Sequence, residues 1–203
     1  MNDFDLYCVM ISIALIYGVL PGLVLTTVMA VFAQKVRDPM RRLIAVIGTG
    51  FGIAGILFAI ALLTNIFFGS CGVIPVHFGT GFIDPPACRL LCNLMLFSMI
   101  STAIIVPPII LQLFNRPYRL WQVAACTLIV YALYTLETRG VIQIPLTLII
   151  MVSAPVIGIM HIENGMVATS INLFFAFFVY LALSIIIYGI ILGLTKFVVR
   201  ERK

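Results

Sequence analysis

The run MVATSINLFFAFFVYLALSIIIYGIILGLT, Met166 to Thr195, is 30 residues long and contains no Asp, Glu, Lys, Arg, His or Pro. A bilayer-crossing helix needs about 20 mostly apolar residues, because the hydrocarbon is about 30 Å thick and each helical residue rises about 1.5 Å. This run therefore reads as a membrane span. Working outward from it, five more uncharged stretches qualify or nearly qualify. Leu6–Ala33, Leu43–Phe68 and Leu90–Phe114 hold 28, 26 and 25 residues. Leu120–Leu136 holds 17, at the lower limit, and Val141–Met160 holds 20 but contains Pro145 and Pro155. The longer runs exceed the minimum, so tilt, kinks or interfacial ends must absorb the surplus.

Composition agrees. Of 203 residues, 63% are hydrophobic and 9% charged, with 12 Lys and Arg against 7 Asp and Glu, and the mean hydropathy is +1.23. A soluble domain carries about 25% charged residues, so too little polar surface is left to clothe a globule in water. The chain is too hydrophobic for disorder, and its apolar runs are too uniform for the two-residue alternation of an outer-membrane barrel. The expected fold is an all-α polytopic helical membrane protein, with residues 1–203 forming one transmembrane domain. A soluble catalytic or nucleic-acid-binding domain has nowhere to sit, and the expected first partner is the lipid bilayer. The first run lacks a basic leader and is far longer than the apolar core of a signal peptide, so it reads as a retained span.

Basic residues mark the orientation. Lys35, Arg37, Arg41 and Arg42 follow the first run, Arg116 and Arg119 the third, and Lys196, Arg200, Arg202 and Lys203 close the chain. The opposite ends carry Asp3, Asp5, Asp84 and Glu163, with Glu137 beside Arg139. The positive-inside rule puts the three basic segments in the cytoplasm and the N-terminus outside. A plasma membrane of the bacterial inner-membrane kind is the expected location. Three apolar stretches separate the second basic loop from the basic tail, an odd number that would carry the tail to the wrong side. One stretch is expected not to cross. Val141–Met160 is chosen, because Pro145 and Pro155 each remove an N–H and both of its flanks are poor in positive charge. The expectation is five crossing helices plus one broken or re-entrant segment, with six crossings as the alternative.

Chemistry is hard to find. No Asp, Glu, Lys, Arg or His lies inside any of the six runs, whereas proton-driven carriers and voltage sensors keep ionisable groups at membrane depth. His77 and His161 fall in loops, which disfavours an intramembrane haem, and no cofactor or metal site is expected. No elbow for a nucleophilic Ser occurs. Cys71 and Cys88 bracket the longest loop, on the side where disulfides persist. A structural bridge between them would close a loop rich in turn formers, worth about 3 kcal/mol on the chain-entropy model. The competing reading is a redox pair, for which Cys88 and Cys92 have the nearest spacing. Cys8 and Cys126 read as small packing residues.

Candidate helix breaks are Pro21 and Gly22 in the first run, Pro107 and Pro108 in the third, and Pro145 and Pro155 in the fifth. Gly48 and Gly52, with Gly55, form a small-residue pattern in the second run that permits close helix approach. The intramembrane amides Asn65, Asn93, Gln112, Gln122, Gln143 and Asn172 lie mostly near span ends, where water can satisfy them. The aromatic run Phe174–Tyr180 offers rings on all sides, which suits lipid or partner subunits.

From Pro21 to Gly55, the Pro-Gly pair, basic loop and glycine-rich second run are similar to small amino-acid exporters of the lysine-exporter type. The chain lacks that family's Pro-Gly-Pro and later Asn-Pro, so no membership follows. Three functions fit: a non-catalytic subunit of a larger transport, secretion or respiratory assembly; a self-contained channel or facilitator using broken helices; and a membrane thiol–disulfide oxidoreductase. The first is preferred, because it needs no ionisable group in the membrane and uses very apolar helix faces against other membrane subunits or a second copy.

Overall fold

The computed structural model describes residues 9, 12, 15–68, 86–116, 118–138, 144–161 and 165–201. Among these the secondary structure is helical throughout. A π-helical turn, Leu15–Val19, runs directly into α1 (Leu20–Gln34). Then follow α2 (Pro39–Phe68), α3 (Pro86–Leu113), α4 (Leu120–Thr138), α5 (Ile144–Ile159) and α6 (Gly165–Glu201). The protein is an all-α polytopic bundle. Four of its helices are long and apolar enough to cross a membrane, over Pro39–Leu63, Asn93–Leu113, Leu120–Thr138 and Ile171–Thr195.

The prolines explain much of the local geometry. Pro21 sits in the first turn of α1, where a missing N–H is tolerated. The preceding π turn matches each carbonyl to the donor five residues on, one beyond the N–H that Pro21 lacks. The chain therefore widens at Pro21-Gly22 and continues. Pro107 and Pro108 lie within α3, which remains helical to Leu113. Pro145 is the second residue of α5, a favourable position, and Pro155 alone interrupts that helix from inside.

Side-chain pairings give the direction of each helix. On α1 and α4, Gly18 faces Thr135 and Gly22 faces Tyr131, so these two run antiparallel. On α4 and α6, the Tyr180 hydroxyl donates to Glu137 Oε2 (3.1 Å), the Cys126 thiol reaches the Ser184 carbonyl (3.9 Å), and the Tyr188 hydroxyl donates to Gln122 Oε1 (3.2 Å). The descending order on α4 against the ascending order on α6 makes these antiparallel too. Arg42 on α2 bonds Gln112 on α3, and Ser98 on α3 donates to the Gly50 carbonyl on α2 (2.8 Å). The basic turn after α1, the basic turn after α3 and the C-terminal half of α6 therefore share one end of the bundle.

This arrangement decides the path of α5. The chain leaves α4 at the far end and enters α6 at the far end, so α5 does not return to the basic end. At 16 residues it is about 24 Å long, short of the hydrocarbon thickness. The expected re-entrant hairpin is not what forms: Ile144–Ile159 is one continuous helix, because Pro145 caps its first turn instead of breaking it.

The core is centred on α3, 78% of whose candidate span is buried, against 17% for α2. Ile100, Ala103 and Ile104 of α3 are sealed among Val130, Tyr131, Tyr180 and Tyr188. Edge-to-face contacts of Phe97 with Tyr131 and Tyr134, both at 5.5 Å, tie α3 to α4, and such pairs add about 0.5–1.5 kcal/mol beyond burial.

Candidate functional site

At the centre of the bundle, polar groups are neutral and bonded to one another. Thr26 Oγ1 on α1 reaches both the Gly22 carbonyl (2.8 Å) and Ser101 Oγ on α3 (3.1 Å). Ser101 Oγ shares a hydrogen bond with the Tyr131 hydroxyl on α4 (2.8 Å), and that hydroxyl also lies 3.0 Å from the Phe97 carbonyl. Three helices are thus joined by a chain of hydroxyls, in surroundings that exclude water. An unmade bond here would cost several kcal/mol, so the chain specifies register and offers no acid or base.

Glycines let this centre form. A Cβ on Gly22 would overlap the Tyr131 ring, one on Gly18 would overlap Thr135, and one on Gly50 would overlap Thr102 Oγ1. Gly22 therefore acts through close approach rather than as a break. Gly50 takes the packing role expected of Gly48, Gly52 and Gly55, around which an added Cβ would meet nothing within 4 Å. Those three lie on the exposed face of α2, because Gly50 points to the opposite side of the same helix.

Two span-end amides are satisfied by protein. Gln112 Oε1 accepts from Arg42 Nη1, while Gln122 Oε1 accepts from Tyr188 and from the Arg119 backbone N–H (3.2 Å). On α6, Asn172 Oδ1 and Ser184 Oγ are buried without a partner. The aromatic run splits: Phe177 and Tyr180 are buried, whereas Phe174 and Phe178 are about half exposed. Cys126 is a free, buried thiol. Cys71 lies outside the described residues, and with it the expected bridge to Cys88. Among the described residues no group of His, Cys, Asp or Glu is placed to hold a metal ion.

Two cavities open on the bundle surface. One, of about 320 Å³, lies where the α1–α2 and α3–α4 turns meet and is lined by Arg37, Pro39, Arg42, Gln112, Asn115 and Arg116. The other, about 240 Å³, is a groove between α1 and α4, bordered by Thr26, Thr27, Val31, Trp121 and Thr127 among others. Sequence reading found the basic residues but could not join them, since the two turns are separated by 74 positions from Arg42 to Arg116. Comparison with protein-family models, curated proteins and solved structures finds no match.

Proposed function

We propose that the chain is a non-catalytic integral membrane subunit of a larger transport, secretion or respiratory assembly. In this reading the basic end and the C-terminal tail lie in the cytoplasm of a plasma membrane, with the N-terminus outside. The observation that carries it is the outer face of α2. Only 17% of that span is buried within the chain, and Ile44, Ile56, Ile60 and Leu63 stand exposed beside Gly48, Gly52 and Gly55. Small residues with open space above them let a neighbouring helix approach closely, the main source of helix association in lipid. The neutral, internally bonded interior adds support, since it holds the fold together without presenting a reactive group.

Site-specific photocrosslinking from position 52 in intact membranes, followed by purification in mild detergent, tests this. One stoichiometric protein partner is expected, lost on Gly52→Leu. Lipid adducts alone, with a single-copy particle, would overturn the assembly.

A self-contained channel is the competing reading. The α1/α4 groove favours it, because Thr26 lies both on that groove and in the central hydroxyl chain. Solute flux through liposomes holding only this chain would select it.

A further inference from the structure

The cavity between the two basic turns is built for a phosphate group. Three of its six lining residues are arginines, two are amides, and none is a carboxylate. The nearest acid in sequence, Asp38, is engaged elsewhere: its Oδ1 accepts from the Met40 N–H (3.1 Å), and its Oδ2 lies 3.8 Å from Arg41 Nε. Arg42 is held from behind. Its Nε and Nη2 both donate to the Val36 carbonyl, at 3.0 and 2.7 Å, and its Nη1 donates to Gln112. A guanidinium has five N–H groups, so one on each terminal nitrogen is left over.

Arg116 is placed by backbone geometry. Asn115 adopts φ 55°, in the left-handed region that Asn tolerates. The Asn115 N–H bonds the Gln112 carbonyl and the Arg116 N–H bonds the Leu111 carbonyl, both at 3.0 Å. This is a Schellman cap, and it sets Arg116 at the closing turn of α3. Arg37 and Arg116 are exposed and make no hydrogen bond or ion pair with any described residue. Three fixed positive charges with spare donors fit the planar fork geometry that recognises phosphate oxygens.

We infer that this cavity binds the phosphate of an anionic phospholipid headgroup. The cavity lies at the end of the membrane-crossing length, where headgroups are found. The α1/α4 groove, with Ala30, Val31, Leu120 and half-exposed Trp121, lies toward the same end and offers an apolar path to an acyl chain. Basic pockets between transmembrane helices recognise headgroups in this way, and a free phosphate would leave the groove unused.

Trp121 is the chain's one tryptophan and reports on the site. The full chain is reconstituted in phosphatidylcholine nanodiscs containing a minor fraction of phosphatidylglycerol, with bromine on the acyl chains of one lipid or the other. Stronger Trp121 quenching by brominated phosphatidylglycerol is expected, with an apparent preference falling about fivefold for each guanidinium removed. Arg37→Gln with Arg116→Gln should abolish the preference. Lys35→Gln with Arg41→Gln, an equal loss of charge outside the cavity, should retain most of it. Equal quenching by both lipids in the unaltered chain, or equal loss in the two double variants, would overturn the site. Inorganic phosphate added to protein in neutral detergent forms the other arm. A saturable Trp121 response to it, without enrichment of phosphatidylglycerol, would assign the cavity to soluble phosphate and overturn the lipid.

Discussion

Gly22 on α1 packs against the ring of Tyr131 on α4 so closely that a single added methyl would overlap it. The same ring carries the hydroxyl that joins α3 and α4 through Ser101 and Phe97. A residue without a side chain thus sets how near α1 comes to the central hydroxyl chain. Its neighbour Pro21 and the π turn before it aim α1 at that contact.

Gly22→Ala should destabilise the protein by about 1–3 kcal/mol, the usual cost of overpacking a filled core. Gly48→Ala meets open space and should be neutral within the isolated chain, or stabilising by up to about 1 kcal/mol through helix propensity. Thermal unfolding in detergent, followed by circular dichroism, compares the two. Equal destabilisation by both would contradict the packing described for Gly22.

Tyr131→Phe removes the hydroxyl while keeping the buried ring. A loss of about 0.6–2 kcal/mol is expected, from the average for intramembrane hydrogen bonds up to the cost of leaving Ser101 unpaired. In the double variant with Ser101→Ala the two losses should be less than additive, because they delete the same bond. Full additivity would mean that the bond contributes nothing.

Single cysteines at Arg37, Arg116 and Lys203, in a cysteine-free chain, should label from the same face of the membrane. The first two line one cavity, and α6 runs back toward that end against α4. Labelling of Lys203 from the face opposite to Arg37 would restore the six-crossing alternative.

Cysteines at Ile144 and Met160 should instead both report the far side of the membrane from Arg37, since α5 lies between two far-end attachments. Pro145→Ala should change stability by less than about 1 kcal/mol, because a first-turn N–H has no helical acceptor in any case. Access to Met160 from the Arg37 face would show a full crossing by α5.

The sequence by itself determined that this chain is a stack of membrane helices and grouped its basic segments on one face. Both properties are sums over a single segment: apolar length against bilayer thickness, and charge against membrane side. The odd count of runs between Arg119 and Lys196 even singled out Val141–Met160 as the stretch that does not complete a passage. Tertiary structure decided which faces meet. Helices that are apolar all round carry no stripe to mark an inward side, so Gly50 and Gly48 look alike in sequence, yet one touches Thr102 and the other faces open space. In the same way Gln112 and Gln122 read as wetted span ends until Arg42 and Tyr188 were brought beside them. Contact between two segments depends on their relative rotation and height, and in this chain those are set by glycine clearances and hydroxyl pairs that become visible only when the helices are side by side.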